Sequence, residues 1–301
     1  MLMNPILHQL GFSANDRVLV IHADDIGMGQ ATIPILADLF EVGIVTSAAT
    51  MVPCPWFLEA AEFCRAHPDI DMGVHLTLNC EWERYRWGPI STRDPRSGLL
   101  DEQGYQPRQP SVVVQQAELD AVAQEVRMQL EWALRAGIDV THIDTHMGTL
   151  FAPRFVEQAY MALGREFKLP FFFLTQPATD ELMAATGGAM GGHYNDALWQ
   201  QLQAEGAPQF DSMAMLPLND PHDHAGIIKR VVDGLSPGLH MLILHPAQDT
   251  PELRAIVPDW DSRVANYRAC LDRDVRAYIA NAGVQLIGYR PIREALRSRA
   301  V

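Results

Sequence analysis

Four apolar runs in this 301-residue chain end in histidine or aspartate. Val18-Leu19-Val20-Ile21 leads into His22-Ala23-Asp24-Asp25, and "IDMGV" leads into His75. "IDVT" is followed by His142, Asp144 and His146, and "LHMLIL" by His245. A lone histidine beside an apolar strand is most often a packed, hydrogen-bonded residue, so the weight rests on the joint occurrence. Alternate side chains of an extended chain share a face, which turns His142, Asp144 and His146 the same way. Two histidines and one aspartate from such strand ends form a facial ligand set for a divalent cation. Positions stay open for water and substrate, which is the pattern of a catalytic metal rather than a structural one.

The adjacent carboxylates Asp24 and Asp25 fit that chemistry. Held close together they repel; a cation on one relieves the repulsion and leaves the other ionised, able to accept a proton. Gly27 and Gly29 then allow a tight turn beside the ion. The alternative is that one aspartate caps a helix starting near Gln30. Asp144 could orient a ligand histidine through its outer nitrogen, or be an ordinary hydrogen-bonded carboxylate. Trp82, Tyr85 and Trp87 follow the His75 run; their faces could stack on a sugar ring, but anchoring of the following loop is the preferred reading. His222-Asp223-His224 offers a second metal cluster, for which a polar loop is the simpler account.

The elements that position these groups alternate. "RVLVIHA" is followed by the helical pattern "ATIPILADLFEVG", then the strand "IVTSAATMV", the helix "PWFLEAAEFCRAHP" and the strand "IDMGVHLTLNC". Leu119, Val122, Val126, Leu130 and Leu134 recur at helical steps, and Gly137 closes that helix before "IDVTHIDTHM". "RFVEQAYMALGREFKLP" then "FFFLT", "AGIIKRVVDGLSPG" then "LHMLILHPA", and one last helix "SRVANYRACLDRDVRAYIANAG" before "VQLIGYR" continue the series. This predicts an α/β fold on a parallel sheet, open or closed into a barrel, with ligands beyond the carboxyl ends of its strands. No composition shift marks a boundary, so residues 1–301 are expected to form a single catalytic domain. Two excursions interrupt the pattern, near 81–111 and near 185–196, and loops of that length are more often binding loops than filler.

A formal net charge of −14 disfavours nucleic acid and anionic membranes as partners and suits a small neutral or cationic substrate. The four cysteines show no paired spacing, and the first residues lack the basic flank and apolar length of a signal peptide. Free thiols and a cytoplasmic location are the expectation, with no membrane span.

In order, "HADDIGMG", "GIVTSAATMV", "GVHLTL", "THIDTH" and "LHPA" resemble the YdjC-like (ChbG-type) carbohydrate deacetylases, relatives of the polysaccharide deacetylases. The resemblance runs from Arg17 to about Ile292. It implies a distorted or incomplete (β/α) barrel binding one divalent metal ion, Mg2+ or Zn2+, through Asp25, His75 and His146. Asp24 is then the general base and His245 the general acid, in hydrolysis of the N-acetyl group of an amino sugar or a short N-acetylglucosamine oligosaccharide. Asp144, His142, Arg263 and Trp82 are the expected supporting or substrate-facing residues. A homodimer is implied by the same analogy. Imidazole ligands favour zinc, whereas the family is often associated with magnesium. The chain departs from the family pattern where "HMGTL" replaces a histidine run, His22 replaces asparagine, Ile26 replaces phenylalanine, Ala247 replaces glycine, and Asn266 stands three residues after Arg263 where glutamate is usual. These departures bear on sugar specificity more than on hydrolysis. The competing readings are a metal-dependent hydrolase of a non-sugar amide or ester, and a non-catalytic sugar-binding barrel.

Overall fold

The computed structural model describes residues 4–186 and 192–298. Among these, seven strands form one parallel sheet: β1 (Arg17–Ile26), β2 (Ser47–Thr50), β3 (Met72–Leu76), β4 (Val140–Thr145), β5 (Ser212–Met215), β6 (Gly238–Leu244) and β7 (Val284–Leu286). Their order is β4-β3-β2-β1-β6-β5, with β7 on β1. β1 is central and buried along nearly its whole length, as its continuous apolar run requires.

Strand alternation separates two environments. Leu19, Ile21 and Ala23 belong to the large core under the helices. Val18 and Val20 join Met241, Phe172, Phe210 and Tyr289 in a second core that fills the floor of the barrel. The next two residues on that inner face are His22 and Asp24. The inner face of β6 runs likewise from Leu239 and Met241 through Ile243 toward His245. An apolar floor therefore gives way to polar groups at the carboxyl-end mouth.

The barrel is incomplete. "FFFLT", expected as a strand, makes only single bridges, Ile143 with Phe171 and Leu174 with Phe210. These join β4 to the chain entering β5 through Phe172 N–H to the Ile143 carbonyl (3.1 Å) and Phe210 N–H to the Phe173 carbonyl (2.8 Å). β5 itself is a strand that the alternation did not reveal, because its four residues, Ser-Met-Ala-Met, are only partly covered. The last expected helix divides into Trp260–Cys270 and Arg273–Asn281, the second capped by the Asp272 side chain.

The long helix Leu119–Arg135 buries Val122, Val126, Leu130 and Ala133 and packs on β3. Its buried Glu125 accepts hydrogen bonds from the backbone of Ile90 (3.1 Å) and Ser91 (2.8 Å), which pins the first long excursion to the barrel. The second excursion falls partly on 187–191, outside the described residues. No described helix is long and apolar enough to cross a membrane, and all four cysteines are buried and unpaired.

Candidate metal centre

Alternation should send Asp24 and Asp25 to opposite faces of β1. A bulge prevents this: between Ala23 and Ile26 the register against β2 gains one residue. Asp25 takes a left-handed φ of 63°, a conformation that strains a residue with a side chain and that Asp tolerates better than most. Both carboxylates consequently reach the mouth. Gly27 follows with φ 82°, its α-carbon packed so closely that an added Cβ would lie 3.2 Å from the Phe57 backbone.

Asp25, His75 and His146 converge. Asp25 Oδ1 lies 3.5 Å from His75 Nε2 and 3.3 Å from His146 Nδ1, and the two nitrogens are 3.3 Å apart. All three residues are buried, and Oδ1 of Asp25 has no hydrogen-bond donor. An orphaned carboxylate oxygen facing two imidazole nitrogens is an arrangement a cation completes. The edges match those of a tetrahedron around an ion with bonds of ~2.0–2.1 Å, whose corners are about 3.3 Å apart.

The surrounding groups fix the orientation of each of these three side chains. His75 pairs in register with Asp144 across β3 and β4, and its Nδ1–H donates to Asp144 Oδ1 at 2.8 Å. His146 donates from Nε2 to Glu81 Oε2 at 2.9 Å. With the outward nitrogen of each ring engaged by a carboxylate, loss of the inward proton would leave a lone pair for an ion, the carboxylate–histidine arrangement that supports metal ligands. The other oxygen of Asp25 accepts from Arg263 Nη1 at 2.7 Å, and Arg263 Nε donates to Asp259 at 3.2 Å. Burial opposes ionisation of Asp25, but the Arg263 charge and His146 hold its carboxyl well below the usual range.

Asp24 stands beside this set. Its Oδ1 is 3.0 Å from His22 Nε2, and its Oδ2 is 3.8 Å from His245 Nε2. His22 also donates to Asp144 Oδ2 at 2.8 Å and meets Ser47 Oγ at 2.7 Å, its register partner on β2. Burial would push His22 down, yet Asp144 and Asp24 outweigh it and raise the imidazole to about 10. Burial lowers His245 despite Asp25 and Asp24 nearby. Its backbone N–H is tied to Asn266 Oδ1 at 2.8 Å.

The remaining sequence candidates lie farther out. His142 stacks on Tyr289 at 3.8 Å between ring centres, bonds Thr141 through Nδ1, and stays 3.9 Å from Asp144. A Cβ on Gly73 would strike its ring at 2.5 Å, so the glycine makes room for it. His22, His142 and Asp144 form a second group with metal-like spacing, as do Asp24, His75 and Asp144. In both of these an imidazole N–H already engages the carboxylate. Trp82 is buried with Trp87, Met28 and Cys80, with the Arg263 guanidinium 5.7 Å from its ring centre, an anchor for the loop rather than a wall of the cavity. His224 bonds the Asp220 carbonyl and Asn266, while Asp223 pairs with Arg230, so that histidine-rich stretch is not a metal cluster among the described residues. Glu81 and Ser47 were not singled out in the sequence.

The structure is thus an incomplete parallel (β/α) barrel whose mouth carries an Asp-His-His set with spacing that could hold a metal ion, beside an Asp-His pair. The chain belongs to the YdjC-like protein family, whose pattern matches residues 18–281. It is 30% identical over 291 residues to a carbohydrate deacetylase of Thermus thermophilus, covering 97% of this chain and 99% of that one. With a carbohydrate deacetylase of Geobacillus stearothermophilus the identity is 27%, over 91% of this chain and 97% of the relative. A solved structure described as a cellobiose-phosphate cleavage protein of Enterococcus faecalis superposes with a TM-score of 0.75 at 24% identity, over 92% of this chain and 99% of that one, a likeness of fold.

Proposed function

We propose that the protein is a metal-dependent hydrolase that removes the N-acyl group of an amino sugar, N-acetyl in the simplest case. The observation that carries this reading is the unpartnered Asp25 Oδ1 facing His75 Nε2 and His146 Nδ1, with Asp24 and His245 alongside. Relatives named carbohydrate deacetylases over nearly the full chain supply the substrate class. Asp25, His75 and His146 would hold one divalent ion. Two imidazoles and the 3.3–3.5 Å edges favour zinc over magnesium. Such an ion supplies a Lewis acid and lowers the pKa of water from 15.7 toward about 7.

Asp24 is the base. Its carboxylate lines the cavity and accepts a proton from the attacking water, with His22 Nε2 at 3.0 Å and His75 Nδ1 at 3.7 Å flanking its Oδ1. The water oxygen bonds to the acyl carbon, and the C–N bond then breaks. An amine leaves poorly without a proton, so His245 Nε2 delivers one to the nitrogen. Because burial keeps His245 neutral near pH 7, it must gain that proton during turnover. Asp24, 3.8 Å away, is the source. Products are a carboxylate and the free amino sugar. Arg263 occupies one oxygen of Asp25 and so leaves the other for the ion.

Acetate release from N-acetylglucosamine oligomers, with and without chelator, tests the reading. Release that stops on chelation and returns with added metal supports it. Release only from non-sugar amides or esters favours the alternative hydrolase, and none at all favours a sugar-binding barrel.

A further inference from the structure

The cavity beside Asp24 and His245 has two unlike walls. One is polar, built from His22, Asp24, His75, Asp144 and Thr145. The other comes from β5 and β6, whose register sets Met213 against Met241 and Met215 against Ile243, with Phe151 and Phe172 completing it. This cavity shares Phe151, Phe172 and Met213 with a second one beside it. That neighbour is bounded otherwise by Phe173, Leu174, Thr179, Leu182 and Tyr194, an almost wholly apolar lining. A sugar ring there would bury hydroxyls without partners, which is costly. An acetyl methyl is too short to occupy both cavities.

Resting on the hydrolase reading above, we infer that the apolar half receives the acyl group, and that the preferred substrate is an amino sugar N-acylated with a hydrocarbon chain of several carbons. The amide carbonyl lies between Asp24 and His245. The acyl chain then runs along Met241 and Met213 past Phe172 toward Leu182, while the sugar stays at the open mouth, where its hydroxyls keep water. Methionines suit this role because their unbranched side chains adapt to a flexible chain without a fixed shape. Hydrolysis yields a short or medium-chain fatty acid and the free amino sugar.

The experiment compares kcat/KM for glucosamine carrying N-acetyl, N-butyryl, N-hexanoyl and N-octanoyl groups, and measures calorimetric binding of octanoate and acetate. Burial of each added methylene contributes about fourfold in kcat/KM until the cavity is full. Leu182→Trp, which fills the second cavity, is expected to lower the octanoyl-to-acetyl ratio at least tenfold. Should that variant fail to fold, the chain-length series and octanoate binding to the wild type decide the matter. Constant or falling kcat/KM along the series, in an enzyme that does release acetate, overturns the acyl-chain assignment and leaves the hydrolase standing. Octanoate binding without acid release from any member retains the apolar site and overturns the hydrolase instead. Neither turnover nor octanoate binding sinks both.

Discussion

Glu81 opens the first long excursion, with its carboxylate 2.9 Å from His146 Nε2 and 16% of its side chain exposed. Removing it leaves His146 free to rotate and less basic at the nitrogen that faces Asp25. A hydrogen bond to a charged acceptor is worth about 1.5–3 kcal/mol, and partial exposure lets water recover some of that. A net loss of about 1.4–2 kcal/mol corresponds to a metal Kd weaker by about 10–30-fold for Glu81→Ala, since each 1.4 kcal/mol is tenfold. This falls within the usual 10–100-fold effect of such outer partners. Glu81→Gln keeps an acceptor oxygen and loses only charge, so its effect is smaller, about 3–10-fold. Competition with a chromogenic chelator gives the Kd, and turnover at saturating metal separates binding from chemistry. Turnover should then stay within about threefold of wild type, because Glu81 touches neither Asp24 nor His245. If both variants bind the ion within twofold of wild type, His146 is not a ligand held in this way.

Asp24→Asn should reduce kcat by about 10²–10⁴ while metal Kd moves little, measured by acid release and the same chelator competition. His22 links stability to pH in the ion-free protein. Its folded pKa, about 10, lies above the unfolded value near 6.5, so its contribution is complete below about pH 6.5 and fades as pH rises through about 10. His22→Asn should therefore cost about 3 kcal/mol at pH 6 in urea unfolding, with the gap to wild type narrowing toward pH 10; a pH-independent gap contradicts the pairing with Asp24 and Asp144.

Much of this was legible because it follows from periodicity. The alternation Val18, Val20, His22, Asp24 is written in the sequence, and so is the shift from apolar floor to polar mouth that it creates. The parallel barrel and the strand-end histidines follow from the same alternation. The bulge at Asp25 is not periodic, and only its left-handed backbone explains how neighbouring carboxylates share one face. His142, Asp144 and His146 look equivalent by period two, but β4 ends at Thr145 and His146 starts a turn, which draws it toward Asp25 and leaves His142 against Tyr289. β5 was hidden by its shortness, and "FFFLT" reads as a strand although only two of its residues form bridges. Glu81 sits in a charged loop where nothing local distinguishes it from Glu83. The signal that could have found it is chemical, since a histidine offered to a metal needs an outward acceptor, and both oxygens of Asp144 are taken by His75 and His22. Arg263 was read as a family position without a contact, and the helix Trp260–Cys270 brings it to Asp25 from 238 residues away.

A crystal of the protein soaked in zinc or manganese, with the ion located by anomalous scattering, tests the foundation most directly. One ion is expected, bonded to Asp25 Oδ1, His75 Nε2 and His146 Nδ1 at about 2.0–2.2 Å and open toward Asp24 and His245. An ion seated instead among His22, His142 and Asp144, or none bound while acid release continues, would contradict it.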